Sequence, residues 1–261
     1  MKIAMGVEYD GSHFCGWQSQ VKQVGLRTVQ GAVEQALAKV AVEPVKVICA
    51  GRTDTGVHAL SQVIHFETAL DRPLKAWLMG GNSHLPADVN FLWAQPVADD
   101  FHARFKATAR SYRYVILNRP MRSALLRDKV TWVYRPLNAA LMNEGAWHLL
   151  GKHDFTSFRS CSCQASHPNR SIHSLIVHRQ GDYLYIDITA NAFLHNMVRI
   201  ISGVLLAVGK GERQPEWVAD VLAAKDRTVA GMTAPGRGLY FVSPRYPSEY
   251  HLPTKVHLPH F

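Results

Sequence analysis

The sequence predicts an α+β protein of two ferredoxin-like (βαββαβ-type) halves, with antiparallel sheets side by side and a cleft between them. Two observations lead to this fold class. Segments with the two-residue period of a half-buried strand alternate with segments of helical period. The second half also repeats the element order of the first without repeating its residues. We expect an N-terminal α+β domain over residues 1–105 and a C-terminal α+β domain over residues 106–261.

In the first half, each element has its own signal. Strict alternation over residues 2–10 predicts a strand, and Thr28 can cap a helix whose apolar residues recur at helical spacing up to Val40. Pro73 suits the first turn of a second helix. Further strands are predicted at residues 45–50, 62–68 and 91–97.

The second half begins with a predicted strand over 112–117. Asn138 can cap a helix running to Gly151. Two alternating segments, 173–179 and 183–189, flank a Gln-Gly-Asp turn and predict a hairpin. The remaining elements are a helix over 194–208 stopped by Gly209, a short helix opening at Pro215, and a strand over 239–242.

Charge points to the class of partner. The chain has 261 residues, with 29 Lys and Arg against 20 Asp and Glu, and a net charge of +9 favours a polyanion such as nucleic acid or an anionic membrane. The N-terminus lacks the apolar core of a signal peptide, and the most apolar stretch, 193–208, is interrupted by His195, Asn196 and Arg199. We therefore expect a cytoplasmic protein.

Metal and cofactor signals are weak. Cys161 and Cys163 have His153 and His167 nearby, but this spacing matches none of the familiar zinc patterns. The glycine patterns that bind phosphates or dinucleotides are missing from the sequence. We predict neither a metal nor a cofactor.

The segment Ala50-Gly51-Arg52-Thr53-Asp54-Thr55-Gly56-Val57-His58 lies between two predicted strands and should be a loop. Side chains two residues apart share a face of an extended chain, so Arg52 could keep Asp54 ionised and fix its direction. A nucleophile or a base would need this arrangement. On the residues alone, a structural turn aspartate tethered by the neighbouring arginine is the favoured interpretation.

This loop resembles the G-R-T-D-A-G-V-H signature of the tRNA pseudouridine synthase A family. Thr55 stands where that family usually has alanine, and Gly236 lies in a region more often written Ala-Pro-Ala. Other matches follow in the family's order along almost the whole chain: Tyr9-Asp10-Gly11 with Phe14, Gly16-Trp17-Gln18 with Gln20, Phe101-His102-Ala103-Arg104-Phe105, Tyr112-Arg113-Tyr114, Asp154-Phe155-Thr156-Ser157-Phe158, Asn196-Met197-Val198-Arg199, Asp226-Arg227 and Gly238-Leu239-Tyr240.

The resemblance implies an isomerase of tRNA processing with the pseudouridine synthase fold. Members of the family convert uridines at positions 38, 39 and 40 of the anticodon stem-loop to pseudouridine, without a cofactor, after flipping the base. They act as homodimers that bind tRNA. By the same resemblance, Asp54 is the catalytic carboxylate, Arg52 pairs with it, and Tyr112 stacks on the uracil and is a candidate to take its C5 proton. Arg199 would lie near the carboxylate and contact substrate, as would His58.

A basic segment between Phe101 and Pro136 is the predicted RNA surface, although a solvated face is the alternative. Asp128 is its only acidic residue, and aromatic residues interleave with the basic ones, as expected where a nucleic-acid backbone is tracked. Arg104, Arg110, Arg113 and Tyr114 are the substrate contacts that we predict here. The nine basic residues are Arg104, Lys106, Arg110, Arg113, Arg119, Arg122, Arg127, Lys129 and Arg135.

Two other functions stay open from the sequence. A non-catalytic RNA-binding protein made of paired ferredoxin-like units would explain the charge and the topology. A metal-dependent nuclease or hydrolase would need a group of carboxylates and histidines, for which His58 beside Asp54 is the closest candidate.

Overall fold

Strands and helices alternate along the chain in a mixed α+β arrangement in which most paired strands are antiparallel. The computed structural model describes residues 1–19, 25–254 and 256–259; Gln20 of the family match lies outside them. The chain forms two compact units. The first comprises Met1–Ala109 together with the segment that follows Tyr240, and the second comprises Arg110–Tyr240.

Before the C-terminal segment, the strands of the first unit have the order β4-β1-β3, with β2 paired to β3. In β1, seven of the eight residues are buried or partly buried, and it pairs antiparallel with both β3 and β4. Since β1 is central, its alternating sequence contributes much of the core of this unit. The bounds are β1 Lys2–Tyr9, β2 Ile48–Cys49, β3 His58–Glu67 and β4 Val89–Val97.

Two helical segments accompany these strands. Helix α1 (Val29–Ala41) begins where predicted, because the Thr28 side chain accepts a hydrogen bond from the Gly31 amide at 3.3 Å. The second segment is a π-helical turn, Ala76–Gly80, continued by α2, Gly81–His84. It buries Trp77 completely.

The C-terminal segment returns to the first unit. Strand β10 (Leu239–Arg245) is followed by two tyrosines that contact that unit: Tyr246 donates to the Ala103 carbonyl at 2.6 Å, and Tyr250 donates to Asp100 at 3.0 Å. The Arg245 carbonyl accepts from the Thr108 amide at 2.8 Å.

The second unit has the strand order β5-β9-β8-β7, with β6 parallel to β5. The predicted hairpin is confirmed: β8 and β9 are antiparallel, and Gly181 at the turn has a φ of 57°, which suits glycine. Helix α3 packs on β8 and on α4. The bounds are β5 Ala109–Asn118, β6 Thr131–Val133, α3 Ala139–Trp147, β7 Gly151–Asp154, β8 Asn169–Gln180, β9 Tyr183–Ala190, α4 Met197–Gly209 and α5 Trp217–Ala224.

Three predicted boundaries differ from the structure for identifiable reasons. The predicted strand 45–50 shrinks to Ile48–Cys49, because the Val47 amide donates to the Glu34 side chain at 3.1 Å. Helix α3 ends at Trp147, and Gly151, with a φ of 91°, opens β7 instead. Helix α4 starts at Met197 because Asn196 is left-handed, with a φ of 61°. Within the described ranges, none of the helices is long and apolar enough to cross a membrane.

The segment that follows β4 packs against β3 around a buried histidine. His65 on β3 is 4% exposed, its ring lies 4.9 Å from that of His102, and its Nδ1 accepts from the Ala103 amide at 3.1 Å. Burial lowers the pKa of His65 to about 4, and the positive charges of His102 and Lys2 act in the same direction.

This depressed pKa predicts a pH dependence of stability. The unfolded chain takes up a proton near pH 6.5, whereas the folded chain resists it until about pH 4. The contribution is therefore present above pH 6.5 and lost as the pH falls towards 4. Between pH 7.5 and 5.0 we expect His65 to remove about 1–2 kcal/mol from the free energy of unfolding, measured in urea.

The matched experiment compares two histidine-to-glutamine variants. His65→Gln should lose less stability than the parent chain over this pH range. His84→Gln, at an exposed position in α2, should follow the parent. Equal pH dependence in all three proteins would contradict the assignment.

Candidate active site

The candidate loop leaves β2 at Cys49 and enters β3 at His58. It turns where the Val57 amide donates to the Asp54 carbonyl at 3.2 Å, with Gly56 at a φ of 75° in the third position of the turn. A turn of this kind needs a residue that tolerates positive φ there. Asp54 is half-buried and Arg52 is exposed, so the loop presents both charged groups outside the core.

The residues before α1 support this loop from one side. The Trp17 amide donates to the Thr53 carbonyl at 3.0 Å, and the Gly56 amide donates to the Phe14 carbonyl at 3.4 Å. Gly16, with a φ of 87°, lies so close that a Cβ there would be 2.7 Å from the Thr53 oxygen and 3.1 Å from the Asp54 carbonyl carbon. The sequence matches at Phe14 and Gly16-Trp17 therefore hold the backbone of Asp54.

Two buried side chains, Tyr9 and Gln62, also form hydrogen bonds with the loop. The hydroxyl groups of Tyr9 and Thr53 are hydrogen bonded at 2.7 Å, and burial raises the pKa of Tyr9 above its ordinary value, so the phenol stays neutral. Gln62, fully buried on β3, accepts from the Gly51 amide at 3.3 Å and donates to the Gly51 carbonyl. Sequence reasoning missed Gln62 as a site residue; its signal is an amide side chain directly before the apolar pair Val63-Ile64.

His58 lies at the end of this loop and inside the core. Its side chain is 2% exposed, and its Nδ1 accepts a hydrogen bond from the Gly11 amide at 3.1 Å. The Asp10 carboxylate lies 3.1 Å from the same nitrogen. These contacts anchor the end of the loop, and a contact of His58 with substrate stays a prediction.

The positive charge of Arg104 acts on Cys49, which lies at the start of the same loop. Burial raises the pKa of the Cys49 thiol to about 12, and the positive charges of Arg52 and Arg104 partly offset this rise. The Arg104 side chain is exposed, with its guanidinium 5.5 Å from the centre of the Phe105 ring. The first unit therefore contains three of the predicted site residues: Arg52 and Asp54 lie in the loop, and the charge of Arg104 acts on Cys49 at its start.

The other predicted residues belong to the second unit. Tyr112 on β5 is 9% exposed, and its ring contacts that of Phe193 edge to face, with centroids 5.0 Å apart. Arg199, in the first turn of α4, is half-buried. Its Nε donates to the Ala234 carbonyl at 2.8 Å and its Nη1 to the Asn196 side chain at 2.9 Å. The direction of this guanidinium is therefore fixed.

Two predicted substrate contacts on β5 are buried. Tyr114 is fully buried, and its hydroxyl bonds to Thr131 at 2.5 Å and to the Pro235 carbonyl at 2.9 Å. Arg113 is 4% exposed and makes two hydrogen bonds of 2.7 Å to the Asp187 carboxylate. These partners satisfy both side chains, and a contact of either residue with substrate stays a prediction.

The ion pair between the buried Arg113 and the partly exposed Asp187 carries a prediction for stability. Asp187→Ala leaves a guanidinium inside the sheet without its carboxylate, and we expect the free energy of unfolding to fall by about 3 kcal/mol. Denaturant titration measures this change. The exposed Arg127–Asp128 pair, at 2.9 Å, is the control, and Asp128→Ala should cost less than about 0.5 kcal/mol. Equal losses in the two variants would contradict a buried structural pair.

Arg113 is the buried member of the basic segment, and the other basic residues lie at the surface. The other eight basic residues are exposed or partly exposed, as are Phe105, Trp132 and Tyr134. Arg110 donates to the Asn191 carbonyl at 3.0 Å. Several members pair with acidic groups at the surface: Lys106 with Asp100, Arg119 with Asp182, Arg127 with Asp128, and Arg135 with Glu212.

Metal ligands do not converge in the part of the chain that the structure describes: it contains no group of three or more His, Cys, Asp or Glu side chains that could hold an ion. Cys163 instead accepts a hydrogen bond from the His195 amide at 3.4 Å, and the His195 ring contacts the Ser162 hydroxyl at 3.0 Å.

Comparison with known proteins gives the family. A family model described as tRNA pseudouridine synthase matches residues 5–106 and 146–247. A tRNA pseudouridine synthase A of Nitrosococcus oceani is 56% identical over 97% of this chain and 96% of its own. Those of Hydrogenovibrio crunogenus and Pseudomonas aeruginosa are each 53% identical, over 97% and 100% of this chain and 96% and 90% of theirs. These matches show that the chain, which contains the signature loop, belongs to the tRNA pseudouridine synthase A family.

Proposed function

We propose that this protein isomerises uridine to pseudouridine at positions 38, 39 and 40 of the tRNA anticodon stem-loop, with Asp54 as the catalytic residue. The observation that carries the proposal is the half-buried Asp54 carboxylate on a loop fixed by Gly16-Trp17, Tyr9 and Gln62. Rigid support of this kind is what a reacting group requires, because small displacements reduce the rate strongly.

The reaction is redox-neutral. The N-glycosidic bond between N1 and C1′ breaks, the uracil turns within its pocket, and its C5 atom joins C1′ of the ribose. The C5 proton is then removed and N1 gains a proton, so the product is an isomer of the substrate. An ionised Asp54 can serve in three ways: as a nucleophile at C1′, as a nucleophile at the base, or as the base that removes the C2′ proton. Arg52, two residues before Asp54 in the same loop, contributes a positive charge to the site in each case.

The second unit contributes the other proposed groups. Tyr112 stacks on the uracil, and its hydroxyl is the candidate acceptor for the C5 proton. Arg199, already oriented by Ala234 and Asn196, contacts the substrate near the carboxylate. The predicted architecture of two ferredoxin-like halves with a cleft between them forms part of this proposal, as do the domains 1–105 and 106–261.

Binding energy must come from the tRNA backbone. The target base is flipped out of its stack at a cost of a few kcal/mol. Phosphate contacts from the basic segment offset this cost, and of the predicted contacts Arg104 is exposed and Arg110 is partly exposed. The proposal includes a homodimer that binds tRNA in the cytoplasm.

Unmodified tRNA provides the direct test. The purified protein is incubated with a transcript that carries uridines at positions 38–40, and pseudouridine is mapped at nucleotide resolution. A transcript with cytidine at these positions is the control and should give no product. Tight binding without any product would favour the non-catalytic RNA-binding protein instead. Cleavage of the tRNA that stops in excess chelator would favour the metal-dependent nuclease.

A further inference from the structure

A polar pocket opens in the second unit at the β7 end of its sheet. Its volume is about 330 Å³, and it lies where Lys152 of β7 is paired directly with Ser171 of β8. Two of its lining residues are basic and none is acidic. The lining residues are Lys152, His167, Asn169, Arg170, Ser171 and Asn191.

Arg170 is the unusual member of this pocket. Its Nη1 donates to the carbonyls of His167 at 3.0 Å and Asn169 at 2.6 Å, which fixes the guanidinium. Its Nε is buried and has no hydrogen-bond partner in the structure. A buried donor without a partner is rare in folded proteins and suggests a group that binds from outside. Burial also lowers the pKa of Arg170, because the charged form has lost solvent.

The two basic side chains of the pocket, Lys152 and Arg170, pair with no carboxylate among the residues that the structure describes. Asp154, in the same strand as Lys152, accepts from Thr156 at 2.9 and 2.7 Å and lies 4.0 Å from Lys225. The pocket therefore combines fixed donors with an unpaired positive charge, which is the chemistry that binds a phosphate group.

The pocket adjoins a residue already proposed to contact RNA. The Asn191 side chain accepts from the Ser171 amide at 2.9 Å, and its carbonyl accepts from Arg110 at 3.0 Å. Arg110 is paired with Ala190 on β9, one residue before Asn191. The positive surface thus extends from the start of β5 to the pocket.

We propose that Lys152 and Arg170 form a binding site for one backbone phosphate of the tRNA, with the hydroxyl and amide groups of Ser171 and Asn191 completing its polar lining. The identity of the ligand as RNA rests on the proposed function. A free phosphate has the same chemistry, so the experiment must separate the two sources.

The test measures tRNA binding rather than turnover, so that it succeeds or fails whether or not the protein makes pseudouridine. Dissociation constants are determined by fluorescence anisotropy with labelled tRNA at several salt concentrations. Arg170→Gln and Lys152→Gln should each weaken binding several-fold and reduce the slope of log K against log salt concentration by about one, as expected for the loss of one phosphate contact. Arg213→Gln, which removes an exposed charge that lies over Trp217, should leave both quantities unchanged.

Lys152 lies on an exposed position of a strand, so its variant separates binding from folding even if Arg170→Gln is unstable. Unchanged affinity and salt slope for Lys152→Gln would overturn the proposal. A second arm adds inorganic phosphate to the protein without tRNA and follows the melting temperature. Stabilisation by phosphate that Arg170→Gln abolishes, with tRNA binding unaltered, would also overturn it by identifying a site for the free anion.

Discussion

Asp54→Asn should abolish pseudouridine formation while tRNA binding stays within about twofold of the parent protein. Asparagine has nearly the shape of aspartate and is accepted in turns. The Val57 amide donates to the main-chain carbonyl of residue 54, which the substitution leaves in place. Only the negative charge and its ability to attack or accept a proton are lost. Because no other carboxylate of the loop can replace it, we expect product formation to fall by at least roughly 10⁴-fold.

The control for this prediction is Asp71→Asn, at an exposed position of the same unit. It removes an equal charge and should leave both activity and binding unaltered. Product is measured by single-turnover assays at saturating enzyme, and binding by anisotropy. Substantial product from Asp54→Asn would remove Asp54 from the chemistry. Loss of binding together with activity would instead assign the carboxylate to holding the RNA.

Gly16→Ala is the second change with a large expected effect, and its result should be a folded protein with little activity. The new Cβ would lie 2.7 Å from the Thr53 oxygen, so the backbone beside Asp54 must move. A displacement of the reacting group by a fraction of an ångström to one ångström typically costs about 10²-fold in rate. We expect that loss in kcat, with a fall of about 1–3 kcal/mol in the free energy of unfolding.

Gly25 supplies the matched control. It also has a positive φ, 100°, but a Cβ there would meet nothing within 4 Å. Gly25→Ala therefore carries the same kind of backbone strain without the collision, and it should lose about 1 kcal/mol of stability and retain its activity. If both variants lost activity equally, strain rather than loop displacement would explain the effect. Full activity in Gly16→Ala would show that Gly16 does not hold the loop.

Local signals in the sequence predicted much of the secondary structure. Thr28 and Asn138 cap α1 and α3 through side chains that accept the predicted backbone hydrogen bonds. The alternation before and after Gly181 predicted the hairpin. In each case the signal depends on neighbours within a few residues, so no knowledge of the tertiary structure was needed. Strand β7 was missed because its Gly-Lys-His-Asp sequence does not alternate, and pairing with β8 alone makes it a strand.

The site was predictable only in part, for a similar reason. The Asp54 loop has local markers, two glycines and a charged pair between strands. Alternation places Tyr112 and Tyr114 on one face of a strand, but it cannot show that the Tyr114 hydroxyl bonds to Thr131 and Pro235. His58 and Arg113 looked available for the same reason. Their partners, Gly11 and Asp187, are distant in sequence and become neighbours only after folding.

The return of the C-terminal segment to the first unit has a consequence for synthesis. Tyr246 and Tyr250 reach Ala103 and Asp100 only after the whole second unit has been translated. The unit that carries Asp54 therefore cannot be completed on the ribosome before residue 250 has emerged from the exit tunnel. Domains of a growing chain usually fold as units from the N-terminus. Here the first unit needs residues that are made after the second unit, so an unfinished chain carries Asp54 without all the contacts of its unit.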